Sequence, residues 1–197
     1  PTPAWVARSS SRSAPTHEAA LDALGLRAPA RDGLLASLEL LERWSQRINL
    51  TGARGPEAQV ATLVAPVLPL APVLEPGRVA DLGSGNGSPG LVLALLRPDL
   101  EVSLVEPRAK RWAFLREAAR AAGRPDIQVF HGRHDQWPGP PADTVTLRAL
   151  ALPLRELLAL VRPGGRVVVL GRAPRAEAGF EAEAGPGPDL HLFRRST

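Results

Sequence analysis

An apolar strand that runs into a glycine-rich turn constrains this chain more than any other feature. Residues 79–87, VADLGSGNG, begin with apolar side chains and end in alternating glycines. Glycine adopts positive φ at little cost and carries no Cβ, so a ligand can lie directly against the backbone. Pro89 suits the first turn of a following helix, where its missing N–H would be unpaired in any case. The segment predicts a strand–turn–helix unit that holds a nucleoside.

Two nucleotide-binding interpretations of this turn compete. Residues 85–90 fit the dinucleotide pattern G-x-G-x-x-G, in which a helix N-terminus receives a pyrophosphate. Asp81 argues against that use, because its carboxylate would place negative charge near the pyrophosphate. The same carboxylate would pair well with the cationic ammonium and sulfonium groups of S-adenosylmethionine. The position of Asp81 therefore favours S-adenosylmethionine as the cofactor.

A second carboxylate, Glu106, ends the next apolar run at residues 102–105. This spacing predicts that Glu106 lies at the tip of the adjacent parallel strand, where it can accept hydrogen bonds from both ribose hydroxyls. Dinucleotide folds and S-adenosylmethionine folds both use an acid in this way. Glu106 therefore supports a bound nucleoside without deciding between the two cofactors.

The bulk composition narrows the classes of protein that remain. The 197 residues suffice for one α/β domain with a small helical extension. No apolar run reaches the ~18 residues that span a bilayer, and no signal-peptide pattern is visible, so we expect a cytoplasmic protein without a membrane partner. The absence of cysteine and the scattered positions of the four histidines predict no metal site.

The basic residues of the chain are arginines except for Lys110, and the net charge is +4. Arginine binds phosphate through a planar fork, which favours a nucleic-acid partner. A general compositional bias toward arginine, alanine and proline explains the same enrichment equally well. Charge alone therefore leaves the partner open.

The chain divides into three predicted parts. Residues 1–15 are rich in serine, arginine and proline, which predicts a disordered arm. Residues 16–76 have apolar positions at helical spacing and form a predicted N-terminal helical extension. Residues 77–197 alternate short apolar runs with helical segments, which is typical of a Rossmann-like domain with a mostly parallel sheet.

The predicted elements follow from periodicity and from helix breakers. In the extension we expect a short helix capped by Thr16, a longer one over residues 32–48, and a third from Pro56 that prolines break between 66 and 72. In the main domain the expected helices are 89–97, 109–122 and 153–161, and the expected strands are 78–82, 101–106, 127–130, 143–147 and 166–170. A C-terminal antiparallel hairpin is expected from residues 180–182 and 189–193.

Six short motifs occur along the chain in a fixed order. They are RINLT at 47–51, the turn at 81–90, KRWAFLR at 110–116, GR at 132–133, TLRA at 146–149 and RPGG at 162–165. Over about residues 32–171 the chain in this way resembles the RsmG family, also called GidB. The resemblance implies a class I methyltransferase fold and a bacterial enzyme that methylates guanine N7 in small-subunit ribosomal RNA, using S-adenosylmethionine. It also implies that the partner is this RNA or the 30S particle, and we expect the protein to be a monomer.

The resemblance also implies specific site residues. The family's cofactor site falls on Gly83 and Ser88, on His134 and Asp135, and on Arg148. Family members usually have Ala-Glu where this chain has His134-Asp135, so Asp135 keeps the acid that can meet the adenine amino group. With the glycine turn and the two acids, the predicted cofactor contacts are Asp81, Gly83, Ser84, Gly85, Gly87, Ser88, Glu106, His134, Asp135 and Arg148.

The expected reaction requires correct positioning of the substrate and does not require a general base. Guanine N7 already has a lone pair, so electrostatics and orientation carry the rate. Arg148 is the predicted catalytic residue, because its fork can hold guanine O6 or a phosphate at the end of a strand; a surface ion pair is the alternative. The residues predicted to bind RNA are Arg108, Lys110, Arg111 and Arg172, for which a solvated charged face is the alternative.

The chain departs from the family pattern ahead of the glycine turn. Family members commonly carry an Arg-His-Leu-Leu-Asp-Ser-like helix there, whereas residues 61–66 contain neither histidine nor aspartate, and Gly171-Arg172 replaces a family lysine. Three hypotheses therefore stay open: an active ribosomal RNA methyltransferase, a divergent and catalytically weak or inactive paralogue with an interaction or regulatory role, and a small-molecule methyltransferase. The scarcity of aromatic residues for a lid disfavours the third.

Overall fold

A seven-stranded sheet forms the centre of the computed structural model, which describes residues 15–175 and 177–197. The strands are β1 Gly77–Leu82, β2 Leu100–Glu106, β3 Gln128–His131, β4 Ala142–Arg148, β5 Val161–Leu170, β6 Phe180–Glu183 and β7 Leu190–Arg195. Their order is β3-β2-β1-β4-β5-β7-β6. The first five strands are parallel, and β7 runs antiparallel to both β5 and β6. This confirms the predicted parallel sheet with a C-terminal antiparallel hairpin.

The strand order reverses between β1 and β4, because the chain builds outward through β2 and β3 before it returns. In open α/β sheets, ligands bind at the carboxyl ends of the strands beside such a reversal. The turn after β1, the end of β2 and the end of β4 therefore face one another. The topology alone brings the glycine turn, Glu106 and Arg148 to one edge of the sheet.

The described residues form five α-helices on one side of this sheet. They are α1 His17–Ala23, α2 Ala30–Ser45, α3 Pro56–Leu63, α4 Gly90–Leu96 and α5 Ala109–Ala121. Helices α4 and α5 contact the strands, α2 packs on α4 and α5, and α1 contacts α2 and α3. Their buried side chains form one apolar cluster with Val79, Leu104 and Val168 of the sheet. The helices of the predicted extension thus share a core with the main sheet.

The opposite face of the sheet is covered differently. Its apolar cluster joins Val145 and Val167 to Leu154 and Leu157, which lie on a single 3₁₀ turn. The α-helix expected over residues 153–161 is therefore wrong. The chain makes only this short turn before β5, which begins at Val161, five residues earlier than expected.

The other predicted elements agree with the structure to within a few residues. The hydroxyl of Thr16 accepts a hydrogen bond from the Ala19 N–H at 3.1 Å, so the predicted cap of α1 is present. The prolines end α3 at Leu63, and two 3₁₀ turns follow it. Helix α4 begins at Gly90, directly after Pro89. Of the predicted arm, residues 1–14 lie outside the described residues.

None of the helices in the described ranges is long and apolar enough to cross a membrane.

Helix α2 packs closely against neighbouring elements at Gly33. A Cβ added at Gly33 would lie 2.7 Å from Leu95 Cδ2 and 2.9 Å from the Ala122 backbone oxygen. We expect Gly33→Ala to lower the free energy of unfolding by about 1–3 kcal/mol, although alanine is the better helix former. Urea unfolding measures this change.

Gly52→Ala is the matched control, because a Cβ there would meet no atom within 4 Å. This variant should be neutral or slightly stabilising. A stabilised Gly33→Ala variant would show that α2 does not pack as closely as the structure places it.

Candidate active site

A cavity of about 420 Å³ opens at the carboxyl ends of β1, β2 and β4. Its volume lies within the range of ~300–1,000 Å³ that is usual for small-molecule sites. The residues that line it are Leu50, Thr51, Gly52, Thr62, Leu63, Gly83, Ser84, Gly85, Asn86, Ser88, Glu106, Pro107, Arg108, Arg111, Arg148, Ala149 and Leu150. Eight of the predicted site residues therefore meet here: Gly83, Ser84, Gly85, Ser88, Glu106, Arg108, Arg111 and Arg148.

The glycine turn forms one wall of this cavity with its backbone. Gly83 has a φ of 72° and Gly85 a φ of 53°, which side chains with a Cβ rarely adopt. The N–H groups of Gly83 and Ser84 both donate to the Val105 carbonyl, at 2.8 and 3.2 Å, so the turn is fastened to β2. The wall is therefore a fixed stretch of main chain.

Glu106 holds the turn against the end of β2. Its side chain is only 2% exposed. Oε2 accepts from the Gly85 N–H at 2.9 Å, and Oε1 accepts from the Arg108 N–H at 2.8 Å. Each carboxylate oxygen has a second lone pair, so the oriented carboxylate can still accept hydroxyl donors from a ligand in the cavity.

Asp81 does not line the cavity. It is 1% exposed and lies against the start of α4, where a Cβ on Gly90 would come within 2.7 Å of Asp81 Oδ2. Thr146 Oγ1 donates to Asp81 Oδ1 at 2.7 Å. Burial raises the pKa of Asp81 to about 6, although the hydroxyl of Thr146 opposes this rise. The contact of Asp81 with a cofactor cation stays a prediction, and no such contact is prepared in the cavity wall.

Arg148 connects the end of β4 to both the turn and α3. Its Nη1 donates to Ser88 Oγ at 2.6 Å, and its Nη2 donates to the Thr62 carbonyl at 2.5 Å. The side chain is half-buried, and this burial lowers the pKa of Arg148 while the charge of Asp81 opposes the shift. Arg148 also lines a second cavity on its other side.

His134 and Asp135 lie on a 3₁₀ turn after β3 and do not line the cavity. His134 Nε2 is 3.5 Å from Glu156 Oε2. The exposed carboxylate of Asp135 is 3.3 Å from the Nε of Arg133. Their predicted cofactor contacts stay predictions.

The remaining predicted residues are spread around the site. Arg108 and Arg111 lie at the cavity, whereas Lys110 lines a separate groove beside α2. Arg172 is exposed after β5 and lines neither of the two cavities that meet at Arg148. Gly87 keeps a φ of 91° and packs beneath the turn, against Leu91.

Sequence reasoning missed several residues of the cavity wall. Leu50 and Thr51 belong to the RINLT motif, to which no role had been assigned, and the Asn86 amide donates to the Leu50 carbonyl at 3.1 Å. Thr62 and Leu150 also line the cavity. The place of RINLT in the motif order was the one signal available, because these residues lie far from the turn along the chain.

The chain matches a protein-family model over most of its length. The family model for GidB, described as rRNA small subunit methyltransferase G, matches residues 32–183. The chain belongs to this family. The membership inferred from the six motifs is thereby confirmed, and S-adenosylmethionine is the family's cofactor.

Relatives in this family align over most of the chain. The ribosomal RNA small subunit methyltransferase G of Alkalilimnicola ehrlichii is 37% identical over 170 residues, which are 83% of this chain and 77% of the relative. The protein of the same name from Xanthomonas oryzae pv. oryzae is 37% identical over 192 residues, or 92% of this chain and 90% of the relative.

Solved structures show the same fold. An RNA methyltransferase from Salinibacter ruber, in complex with S-adenosyl-L-homocysteine, superposes with a TM-score of 0.54 at 25% identity, covering 66% of this chain and 88% of that one. TrmN from Thermus thermophilus gives a TM-score of 0.53 at 26% identity, covering 75% of this chain and 51% of that one. The predicted class I methyltransferase fold is confirmed.

The buried acid beneath the turn leads to a prediction about pH. An unfolded aspartate deprotonates near pH ~4, whereas folded Asp81 does so near 6. Between these values the folded chain holds a proton that the unfolded chain lacks, so the wild type loses stability as the pH rises. The stability of Asp81→Asn relative to wild type should therefore increase by about 2 kcal/mol between pH 4 and pH 7, as measured by urea unfolding.

Asp143→Asn serves as the control. Burial opposes the shift, but hydrogen bonds from the Arg78 N–H and from Arg162 lower the pKa of Asp143. Its titration therefore lies below the window, and the difference from wild type should stay constant from pH 4.5 to 7. A constant difference for Asp81→Asn as well would contradict the raised pKa of Asp81.

Proposed function

We propose that this protein transfers the methyl group of S-adenosylmethionine to N7 of a guanine in small-subunit ribosomal RNA. The observation that carries the proposal is the oriented, buried Glu106 carboxylate at a glycine turn, beside Arg148 in one cavity. Family membership supports the same substrate class. The geometry supplies a place for a nucleoside and a charged residue next to it.

The residues of the cavity fit the cofactor. Glu106 has acceptor capacity for ribose hydroxyls, and the backbone at Gly83 and Gly85 allows close approach, because no Cβ projects there. Bound S-adenosylmethionine supplies an electrophilic methyl group on a positively charged sulfur. The protein contributes the fixed position of the nucleoside, which orients that methyl group.

Arg148 is the residue that we assign to the substrate side. A guanidinium carries five N–H donors, and two of its nitrogens already donate to Ser88 Oγ and to the Thr62 carbonyl. Donors remain for guanine O6 or for a phosphate oxygen. Because N7 attacks with its own lone pair, no general base is needed, and the cavity wall requires only this kind of orienting group.

Arg108 and Arg111 extend positive charge from the cavity to the protein surface. Arg111 Nη2 donates to the Asn49 carbonyl at 3.0 Å, which holds its guanidinium beside the cavity opening. Guanidinium groups bind phosphate in nucleic acids through the same fork. We assign both residues to the RNA backbone.

A catalytically weak or inactive paralogue is the second candidate. One observation favours it: residues 61–66 lack the histidine and aspartate of the family, and this segment includes Thr62, which contacts Arg148. Such a protein would keep the cofactor cavity and lose turnover. Cofactor binding without methyl transfer would identify it.

The cofactor assignment predicts the effect of Glu106→Gln. The amide cannot accept at both positions and loses its charge, so affinity for S-adenosylmethionine should fall by about 1–3 kcal/mol. Isothermal titration calorimetry measures this loss. Glu101→Gln, on the exposed opposite end of β2, is the matched control and should bind normally; equal affinities for the two variants would remove Glu106 from the site.

The activity itself is tested with tritiated S-adenosylmethionine and small ribosomal subunits that lack this family's modification. We expect label at a guanine, with chain cleavage after reduction and aniline treatment as the signature of N7 methylation. Arg148→Ala should lower kcat by about 10- to 100-fold through lost orientation, whereas Arg27→Ala, an exposed arginine between α1 and α2, should not. Tight cofactor binding without any transfer would exclude the first candidate and leave the second.

A further inference from the structure

A second cavity, of about 560 Å³, adjoins the cofactor cavity at Arg148. It lies beyond the carboxyl end of β5, between the proline-broken segment after α3 and the loop that enters β7. The residues that line it are Pro66, Pro69, Arg148, Leu170, Gly171, Gly187, Pro188, Asp189 and Leu190. Arg148 is the residue that the two linings share.

The chemistry of this lining is simple. Prolines and leucines provide flat apolar surfaces, and Arg148 and Asp189 are the two charged residues. The exposed Asp189 is held in place by its backbone, because its carbonyl accepts from the Gly171 N–H at 2.8 Å. His191 Nε2 lies 2.8 Å from the Gly171 carbonyl, which further fastens β5 to β7 at this point.

We propose that this second cavity holds the target guanine base and that Asp189 is the residue that selects it. The proposal rests on the proposed function and adds the site and the specificity of the acceptor base. A carboxylate accepts simultaneously from guanine N1–H and from the N2 amino group, which only guanine among the RNA bases offers together. Adenine has a lone pair at N1, which would repel the carboxylate and leave it without a hydrogen-bond donor.

The same contact orients the reacting atom. Guanine carries N7 and O6 on one edge and its N2 amino group on another. Asp189 lines only the second cavity, whereas Arg148 lines both. A base gripped by Asp189 at its N1 and N2 positions therefore turns O6 and N7 toward Arg148 and the cofactor cavity.

The transfer step balances without a proton acceptor. The N7 lone pair forms a bond to the methyl carbon, the carbon–sulfur bond breaks, and its electron pair stays on sulfur. The base gains one positive charge while the sulfonium loses its own. The negative charge of Asp189 stabilises the charge that develops on the purine.

Nucleotide binding tests this assignment independently of methyl transfer. The protein is saturated with S-adenosylhomocysteine and titrated with guanosine, inosine and adenosine 5′-monophosphates. We expect affinity to fall in that order, because inosine lacks the N2 amino group and adenine lacks both donors. Asp189→Asn should lower the affinity for guanosine monophosphate about 10- to 100-fold, to that for adenosine monophosphate.

Glu181→Gln is the matched control, because Glu181 is an exposed acid on neighbouring β6 that lines neither cavity. It should keep the preference for guanosine monophosphate. Equal binding of guanosine and adenosine monophosphates by the wild type, or binding of neither, would overturn the assignment even if ribosomal subunits are methylated. The wild type could instead prefer guanosine monophosphate, lose this preference in Asp189→Asn and still fail to methylate ribosomal subunits. That result would support the second cavity as a guanine site and refute the proposed function.

Discussion

The two hydrogen bonds of the Glu106 carboxylate hold the rest of the site together. One bond reaches Gly85 in the turn after β1, and the other reaches Arg108 at the start of α5. A charged acceptor makes stronger bonds to backbone N–H groups than a neutral one, so a single buried side chain fixes two connections at once. The turn has positive φ at Gly83 and Gly85 and presents bare backbone there, while the side chains of Ser84 and Asn86 add hydrogen bonds that hold it. The cofactor cavity follows from this clamp.

The structure also explains how much of the site the sequence could predict. Short apolar runs and alternating glycines predicted the strands and the turn, because both patterns report local geometry. The two acids were treated alike and behave differently. Glu106 is the last residue of β2 and reaches the cavity, whereas Asp81 is followed by Leu82 within β1 and lies on the same sheet face as Val79, under α4. Because the register pairs Asp81 with Leu104, two residues before Glu106, both acids lie on one face of the sheet and Asp81 lies deeper along it.

Long-range packing accounts for the errors that local patterns could not avoid. The apolar residues at 153–161 have helical spacing, yet Leu154 and Leu157 meet the sheet from a single 3₁₀ turn. The helix is cut short because Val161 already pairs with Ala142 and starts β5. In the same way, RINLT reaches the cavity only because α2 packs across α4 and α5. Neither contact can be recognised from the local sequence.

The loss of family side chains ahead of the turn has a limited structural consequence. Arg148 contacts this segment through the backbone carbonyl of Thr62, which any residue at that position would supply. Its other partner, Ser88, belongs to the turn itself. None of the hydrogen bonds of Glu106 involves residues 61–66. The divergence therefore leaves the hydrogen bonds of Glu106 and Arg148 in place. It changes the side chains that residues 61–66 present to both cavities, because Thr62 and Leu63 line the first and Pro66 lines the second.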